Sequence, residues 1–303
     1  CSSYGLSTLD EAAVVVIDGL GNRTPNGQDY VLTGPEMAQY LRGPHPSIPH
    51  QAECESYYQF SRSGYELVDR VYAESFNVRA GSSSLGEMYA AVYQYIFGDW
   101  RESSKVMALA SLSGNDQKPN EIFTNESSGP VLHRNWQIAH RRPNLWPDGQ
   151  EEYVALASNA QRALEEIIMW RLERFRAKTD LHFLCLAGGV FLNVVLNERI
   201  VASRLFDSVY IPSAPHDAGI AVGCALFGLH QLGRLPKQKA RTMHDYFGRP
   251  YSNNEILEAL TSPRLNFTHS NHVETVAAER LAKGKIIAWY QGGPGFGHRT
   301  LVH

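Results

Sequence analysis

Cysteine is scarce in this chain, with four in 303 residues, at positions 1, 54, 185 and 224, and no C-x-x-C pair among them. That spacing excludes a disulfide framework and a zinc knuckle and fits a reducing compartment, so a cytoplasmic location is expected. Charge is also sparse: 28 Lys+Arg stand against 31 Asp+Glu, a net of −3. With no basic stripe to meet a phosphate backbone, a nucleic-acid surface is not expected. No apolar run approaches the ~20 residues of a membrane-spanning helix, so no membrane partner is expected either. Internal repeats and low-complexity tracts are absent. Core material is not: 43% of the residues are hydrophobic, enough for one large domain or two lobes, and the expected partner is a small molecule. The first residue is Cys rather than Met, and the chain stops at Leu301–His303 directly after a Gly-rich turn; both ends are expected to be cut.

The pattern along the chain predicts an α/β fold. Ala12–Asp18 is a continuous β-branched apolar run ending at Asp-Gly, a buried strand running into a turn. The stretch Gly27–Ser63 mixes Pro, Gly, Tyr and His without periodicity and reads as short strands and loops around the substituents of a ligand. Leu85–Phe97 has apolar residues at helical spacing after Ser82-Ser83-Ser84, any of which can cap a helix. Asn115–Gly149, with four prolines, reads as a long excursion. Gln150–Lys178 is the longest periodic segment: Ala157, Ala160, Leu164, Ile167, Ile168, Leu172 and Phe175 form one stripe, with Glu165, Glu166, Arg171 and Arg174 expected away from it. Strand, turn and helix then occur twice, as Phe183–Ala187 with Leu192–Ala202, and Ser208–Ile211 with Ala221–Leu232. Beyond a linker-like stretch at Pro236–Pro263, a helix is predicted at Val273–Ala282 and a strand at Ile286–Tyr290.

Three glycine-bearing turns follow these strands: Asp18-Gly19-Leu20-Gly21, Ala187-Gly188-Gly189-Val190 and His216-Asp217-Ala218-Gly219. Turns at the carboxyl ends of strands are where open α/β sheets bind ligands, because backbone N–H groups converge there on anionic groups. Singly, each has a plain structural explanation, since Asp-Gly is an ordinary turn and Gly-Gly an ordinary close approach of backbones. In combination they carry more. Asp18 and Asp217 lie at equivalent strand ends, so a sheet could bring both carboxylates together as hard ligands for a divalent metal. His133, His140 and His298 sit in loops and are expected to be solvated, and Tyr89, Tyr93 and Tyr95 to be packing residues.

The run Leu184–Asn193 (LCLAGGVFLN), with Asn197 and Ile200 after it, resembles the LAGGVALN segment of the NodU/CmcH-type, TobZ-like O-carbamoyltransferases. Tyr210–Leu226 (YIPSAPHDAGIAVGCAL) is similar to their strand, Asp-Ala-Gly turn and helix. Further similarity lies in Glu11–Gly21, in Ser84–Tyr89 (SLGEMY), in Lys105-Val106-Met107, and in Gly284–Gly292, which resembles the strand opening the family's second domain. The motifs occur in the family's order over nearly the whole chain.

The resemblance implies an actin-like (ASKHA, ribonuclease H-like) domain over residues 1–270, lacking its N-terminal part, and the beginning of a YrdC-like domain over 271–303. In that family the YrdC-like part makes carbamoyl-adenylate from carbamoyl phosphate and ATP with Mg, and the actin-like part transfers the carbamoyl group to a small-molecule hydroxyl. Fe(II) sits at the transfer site. Its implied ligands here are Asp18 and Asp217, with an H-x-x-x-H histidine pair expected immediately before Cys1. The resemblance further assigns Gly188, Gly189 and Val190 to close approach of the adenosine, Asn193 and Lys105 to the nucleotide and Arg299 to phosphate. His216 is a candidate catalytic residue, as ligand or base, through its place beside Asp217 alone, since family members often carry another residue there. A metal polarises the carbamoyl carbonyl or the acceptor hydroxyl and AMP leaves readily, so positioning is the protein's main task. Departures from the family pattern fall at Lys105–Ser113, which loses a Gly and a Pro of KVMGLAPYG, and at Phe296–Val302, which keeps Arg299 of FGPRALG but loses its Pro, Ala and Gly. They bear on adenylate formation more than on transfer, and keep open a non-catalytic ASKHA-type nucleotide-binding protein. Carbamoyl transfer to a tRNA or a protein acceptor is the other alternative.

Overall fold

A computed structural model describes residues 2–7, 9–21, 35, 52–73, 84–98, 104–114, 122–133, 146, 150–235, 248–261, 266–293 and 295. The chain divides into two compact units, residues 1–240 and 241–303. The expected boundary at 270/271 falls inside the second unit.

The first unit is a mixed α/β structure around a five-stranded sheet. Strand β1 (Glu11–Ile17) is the apolar run expected from the sequence, and it lies at the centre of the sheet. On one side it pairs antiparallel with β2 (Ala52–Ser61), which turns back into β3 (Tyr65–Ala73). A two-stranded hairpin, β4 (Phe123–Glu126) and β5 (Gly129–Leu132), forms a separate small sheet within the stretch expected as a loop excursion. On its other side β1 runs parallel to β6 (Phe183–Ala187), and β6 parallel to β7 (Ser208–Tyr210), giving the order β3-β2-β1-β6-β7. Because β1, β6 and β7 are parallel neighbours, their carboxyl ends and the turns that follow lie along one edge of the sheet.

Alternation along β1 feeds two cores. Ala13, Val15 and Ile17 face one of them, which holds α2 (Leu85–Phe97) and α4 (Gln150–Arg176). Ala12 and Val14 face the other, with Tyr4, Phe60 and Cys185. Helix α2 has the predicted limits and is capped by Ser84, whose Oγ accepts from the Glu87 N–H at 3.3 Å. Helix α3 (Ser104–Ala110) packs on α4. The predicted stripe of α4, Ala157 to Phe175, is buried throughout. Trimming one of its leucines, such as Leu172, to alanine would cost about 3 kcal/mol. Arg171 is a correction: it points inward, and its guanidinium pairs with the fully buried carboxylate of Glu55 on β2. Helix α1 (Ser2–Leu6) packs on α6 (Ile220–Gln231) through two glycines, Gly5 against Leu226 and Gly223 against Ser2.

The second unit contains α7 (Asn253–Leu260) and α8 (Val273–Ala282), neither of which buries a residue. Ser252 and Glu255 close a reciprocal capping box on α7, and its hydrogen bonds hold the Glu255 carboxyl below its usual range. Ile286–Tyr290 is a second correction. It is not a strand, and Ile286 is fully exposed. Among the described residues no strand lies beside it, and extended backbone without a partner has no ladder to hold it. No helix among the described residues is long and apolar enough to cross a membrane.

Candidate functional site

Three turns meet at the carboxyl edge of the parallel strands. Asp18 follows β1 directly. Its Oδ1 accepts from the Gly19 N–H at 2.7 Å and its Oδ2 from the Gly189 N–H at 2.8 Å. Gly189 begins the 3₁₀ turn Gly189–Leu192 after β6, so one carboxylate ties two strand ends together. The preceding residue, Gly188, reaches the third turn: its N–H donates to Pro215 O at 2.7 Å. Two residues after Pro215, Asp217 opens the 3₁₀ turn Asp217–Gly219, which leads into α6. The Asp217 side chain is exposed and His216 half-buried, with the His216 carbonyl accepting from Gly219 N–H at 2.8 Å.

Only glycine fits at 188. Its φ is +102°, and a Cβ there would lie 2.0 Å from Ile17 O. A second close approach sits across the edge, where a Cβ on Gly86, in the first turn of α2, would fall 2.6 Å from Gly19 N. Ser84 completes the junction by donating from Oγ to Gly19 O at 2.5 Å. The SLGEMY motif therefore seats the start of α2 on the Asp18 turn.

The expected site residues separate as follows. Asp18, Gly188, Gly189 and the turn bearing His216 and Asp217 lie along one edge of the sheet. Val190 is buried inside the Gly189–Leu192 turn and Asn193 ends it, capping α5 (Val194–Ser203) by accepting from Leu196 N–H at 3.0 Å. Lys105 is exposed on α3. Arg299, His140, His298 and most of the Gly27–Ser63 stretch lie outside the described residues. His133 is exposed, as expected, with Nε2 3.1 Å from Thr124 Oγ1. Tyr89 and Tyr93 are buried packing residues.

Sequence reasoning missed a polar layer beneath this edge. The Asp18 N–H donates to Cys54 O, and the Gly21 N–H to Glu53 O, so the turn leans on β2. In β2, Glu55 receives Arg171 and the Tyr57 hydroxyl, at 2.6 Å to Oε2. Burial pulls the Arg171 guanidinium down to about 10 and pushes the Tyr57 hydroxyl up. The missed signal was positional: Gln161 and Arg171 each stand four residues after an apolar member of the α4 stripe, Ala157 and Ile167.

A divalent cation would find part of a ligand set here. Both Asp18 oxygens are oriented by backbone N–H groups and each keeps a lone pair, and Asp217 is exposed to solvent. Among the described residues no three His, Cys, Asp or Glu side chains form a group that could hold a metal. Asp18 and Asp217 are of the hard-oxygen donor type that suits a divalent cation, and two such side chains do not by themselves make up a full ligand set.

Comparison with known proteins places this geometry in a family. Residues 2–226 match the family model described as carbamoyltransferase N-terminus. Nodulation protein NolO of Bradyrhizobium diazoefficiens is 32% identical over 236 residues, covering 72% of this chain and 42% of NolO. Nodulation protein NolNO of Sinorhizobium fredii is 29% identical over 239 residues, covering 73% of this chain and 34% of that protein. Nodulation protein U of Sinorhizobium fredii is 48% identical over 172 residues, 56% of this chain and 28% of that protein. The chain thus spans less than half the length of these relatives. The matched region contains every turn of the candidate site, and the chain belongs to the carbamoyltransferase family, through that family's N-terminal region.

Proposed function

We propose that this chain carries the transfer site of an ATP-dependent O-carbamoyltransferase, in which the carbamoyl group of carbamoyl-adenylate passes to a hydroxyl of a small natural-product or sugar-like acceptor. The bond between the carbamoyl carbon and the adenylate phosphate oxygen breaks, a bond from that carbon to the acceptor oxygen forms, the acceptor proton is released and AMP leaves. Carbamoyl phosphate and ATP with Mg are the co-substrates. The observation that carries the reading is the carbamoyltransferase match over residues 2–226, within which Asp18, Gly188-Gly189 and the Asp217 turn share one sheet edge. The order β3-β2-β1-β6-β7, with β2 alone antiparallel to its neighbours, supports an actin-like, ribonuclease H-like domain. A YrdC-like domain following it and a cytoplasmic location complete the proposal.

In this mechanism the chain's residues mainly position. Gly188 and Gly189, lacking Cβ atoms, let the backbone come close to an adenylate. Asp18, fixed by two N–H bonds, and the exposed Asp217 are the residues that would hold Fe(II). When bound, that ion supplies Lewis-acid polarisation of the carbonyl or hydroxyl oxygen. His216, beside Asp217, is assigned to take up the proton released by the acceptor, and Lys105 and Arg299 are assigned to phosphate charge.

The test uses the longer protein that carries this chain, supplied with Fe(II), Mg, ATP, carbamoyl phosphate and a panel of polyols and macrolactams. Carbamoylated product and AMP should form together, and Asp217→Ala should abolish both. No product from any acceptor, or full product from Asp217→Ala, would overturn the reading in favour of a non-catalytic nucleotide-binding protein.

A further inference from the structure

One buried polar cluster is not used by the chemistry above. Tyr89 on α2, Gln161 on α4 and Asn193 at the end of the Gly189–Leu192 turn are 8%, 7% and 8% exposed. The two amides face each other reciprocally, with Gln161 Nε2 donating to Asn193 Oδ1 at 3.1 Å and Asn193 Nδ2 donating to Gln161 Oε1 at 2.8 Å. The Tyr89 hydroxyl donates to Gln161 Oε1 at 2.7 Å and accepts from Asn193 Nδ2 at 3.4 Å. The remaining Gln161 proton goes to Glu165 Oε1 at 2.7 Å, and Glu165 Oε2 accepts from Arg199 on α5 at 3.1 Å. Burial, opposed by the Asn193 hydrogen bond and reinforced by the Glu165 charge, raises the Tyr89 hydroxyl well above the usual tyrosine range, so it stays protonated as a donor.

Counting the bonds settles what Asn193 has left to offer. Its Oδ1 accepts from Leu196 N–H and Gln161, and its Nδ2 donates to Gln161 and Tyr89. An amide oxygen has two lone pairs and an amide nitrogen two protons, so all four are taken. The same residue terminates the turn whose first N–H holds Asp18 and whose preceding N–H holds the Asp217 loop.

Resting on the transfer-site reading above, we infer that Gln161 and Tyr89 are positioning residues: through the buried amide pair with Asn193 they lock the Gly188–Leu192 turn against Asp18, and Asn193 serves the site through this turn. A buried network satisfied at every member is rigid and fails as a unit when one member is removed. It also joins α2, α4 and α5 at one point, so the edge where three strands end is braced from the helical layer behind it.

The experiment has one arm that needs no substrate. In the longer protein carrying this chain, Gln161→Met keeps the side-chain length and the helix propensity but deletes the amide. Hydrogen exchange of the peptide covering 188–193 should speed up by about tenfold or more, since both bonds from Gln161 to Asn193 are lost and a single buried hydrogen bond is worth about that factor, while peptides from α1 and α6 keep their protection. Tyr89→Phe, which keeps the ring in place, should give a smaller acceleration of the same peptide, and it carries the test if Gln161→Met does not fold. In the transfer assay, Gln161→Met and Asn193→Asp should lower kcat with nucleotide KM unchanged, and the double variant should be no worse than the worse single one. Unchanged exchange at 188–193 in folded Gln161→Met would overturn the inference. So would a raised nucleotide KM in Asn193→Asp that Gln161→Met does not share, which would make Asn193 a direct contact. A wild-type protein that transfers no carbamoyl group would sink the functional reading and leave the exchange result standing.

Discussion

The Gly189 N–H donates to Asp18 Oδ2 at 2.8 Å across 171 residues of sequence, while the adjacent Gly19 N–H takes the other carboxylate oxygen at 2.7 Å. A carboxylate held by two backbone donors is oriented without a side-chain cation beside it. Among the described residues no side-chain cation pairs with it, and a carboxylate oriented in this way suits a cation or an electrophilic substrate.

That arrangement makes the two neighbouring glycines unequal. Alanine at 188 would have to adopt a φ of +102° and place its Cβ 2.0 Å from Ile17 O, a backbone atom in the central strand. Alanine at 189 meets Asp18 Oδ1 at 3.0 Å, a side-chain atom that can give way. Gly188→Ala should cost about 3 kcal/mol or more in urea unfolding, whereas Gly189→Ala should cost about 1 kcal/mol and act mainly by displacing the carboxylate. Equal midpoints for Gly188→Ala and the wild type would contradict the close packing of the β1 and β6 ends.

The Glu55–Arg171 pair gives a second prediction. The Glu55 side chain is wholly buried and that of Arg171 is 21% exposed. Glu55→Leu strands a guanidinium and leaves the Tyr57 hydroxyl without its acceptor, and should destabilise by about 3 kcal/mol. Because most of that cost is the charge left behind, the double variant Glu55→Leu/Arg171→Met should recover at least half of it. A double variant no better than the single would mean that packing, not charge, dominates at this position.

Much of this structure was legible because the strands and helices that carry the site obey simple periods. The apolar run of β1, the stripe of α4 and the two strand-turn-helix units at 183–232 need only burial to specify them, and the glycine turns between them mark the edge. Strand β2 was not legible. Its sequence, AECESYYQFS, puts Glu53 and Glu55 among aromatic residues, and carboxylates are poor strand formers unless a tertiary partner such as Arg70 or Arg171 meets them. Arg171 was misread for the complementary reason: a charge on an apolar stripe looks like the helix's wet face until the buried acid opposite it is known. The same blindness hid Gln161, whose partners on α2 and at Asn193 are 72 and 32 residues away.

The buried thiols set an alkaline limit on stability. Burial pushes Cys185 up to about 12 and Cys54 to about 11, from an ordinary value of 9.0. Between the unfolded and folded values the unfolded chain has lost thiol protons that the folded chain keeps, so ΔG of unfolding falls as pH rises. The stabilisation is complete below about pH 9 and drains away as pH rises from 9 to about 11 for Cys54 and to about 12 for Cys185, with each thiol contributing at most ~1.4 kcal/mol per pH unit. Chemical denaturation at pH 8, 9 and 10 should show the decline, and Cys185→Ala should flatten it. The Tyr4 hydroxyl, raised to about 12 by burial, adds to the loss only from about pH 10 upward. A slope unchanged in Cys185→Ala would place the alkaline sensitivity elsewhere.

The two aspartates of the site should separate in the same way when stability and ligand binding are read side by side. Asp18→Asn presents an NH₂ group to one of the two backbone N–H groups it now accepts, losing a charge-assisted bond at a half-buried position, and should cost about 2 kcal/mol. Asp217 is exposed, and Asp217→Asn should leave stability within about 0.5 kcal/mol of wild type. If both carboxylates hold the same cation, iron content per protein should nevertheless fall in both variants. Metal analysis beside thermal unfolding therefore distinguishes an aspartate that organises the sheet edge and binds from one that only binds. Undiminished iron in Asp217→Asn would remove it from the ligand set and confine the role of its turn to backbone contacts.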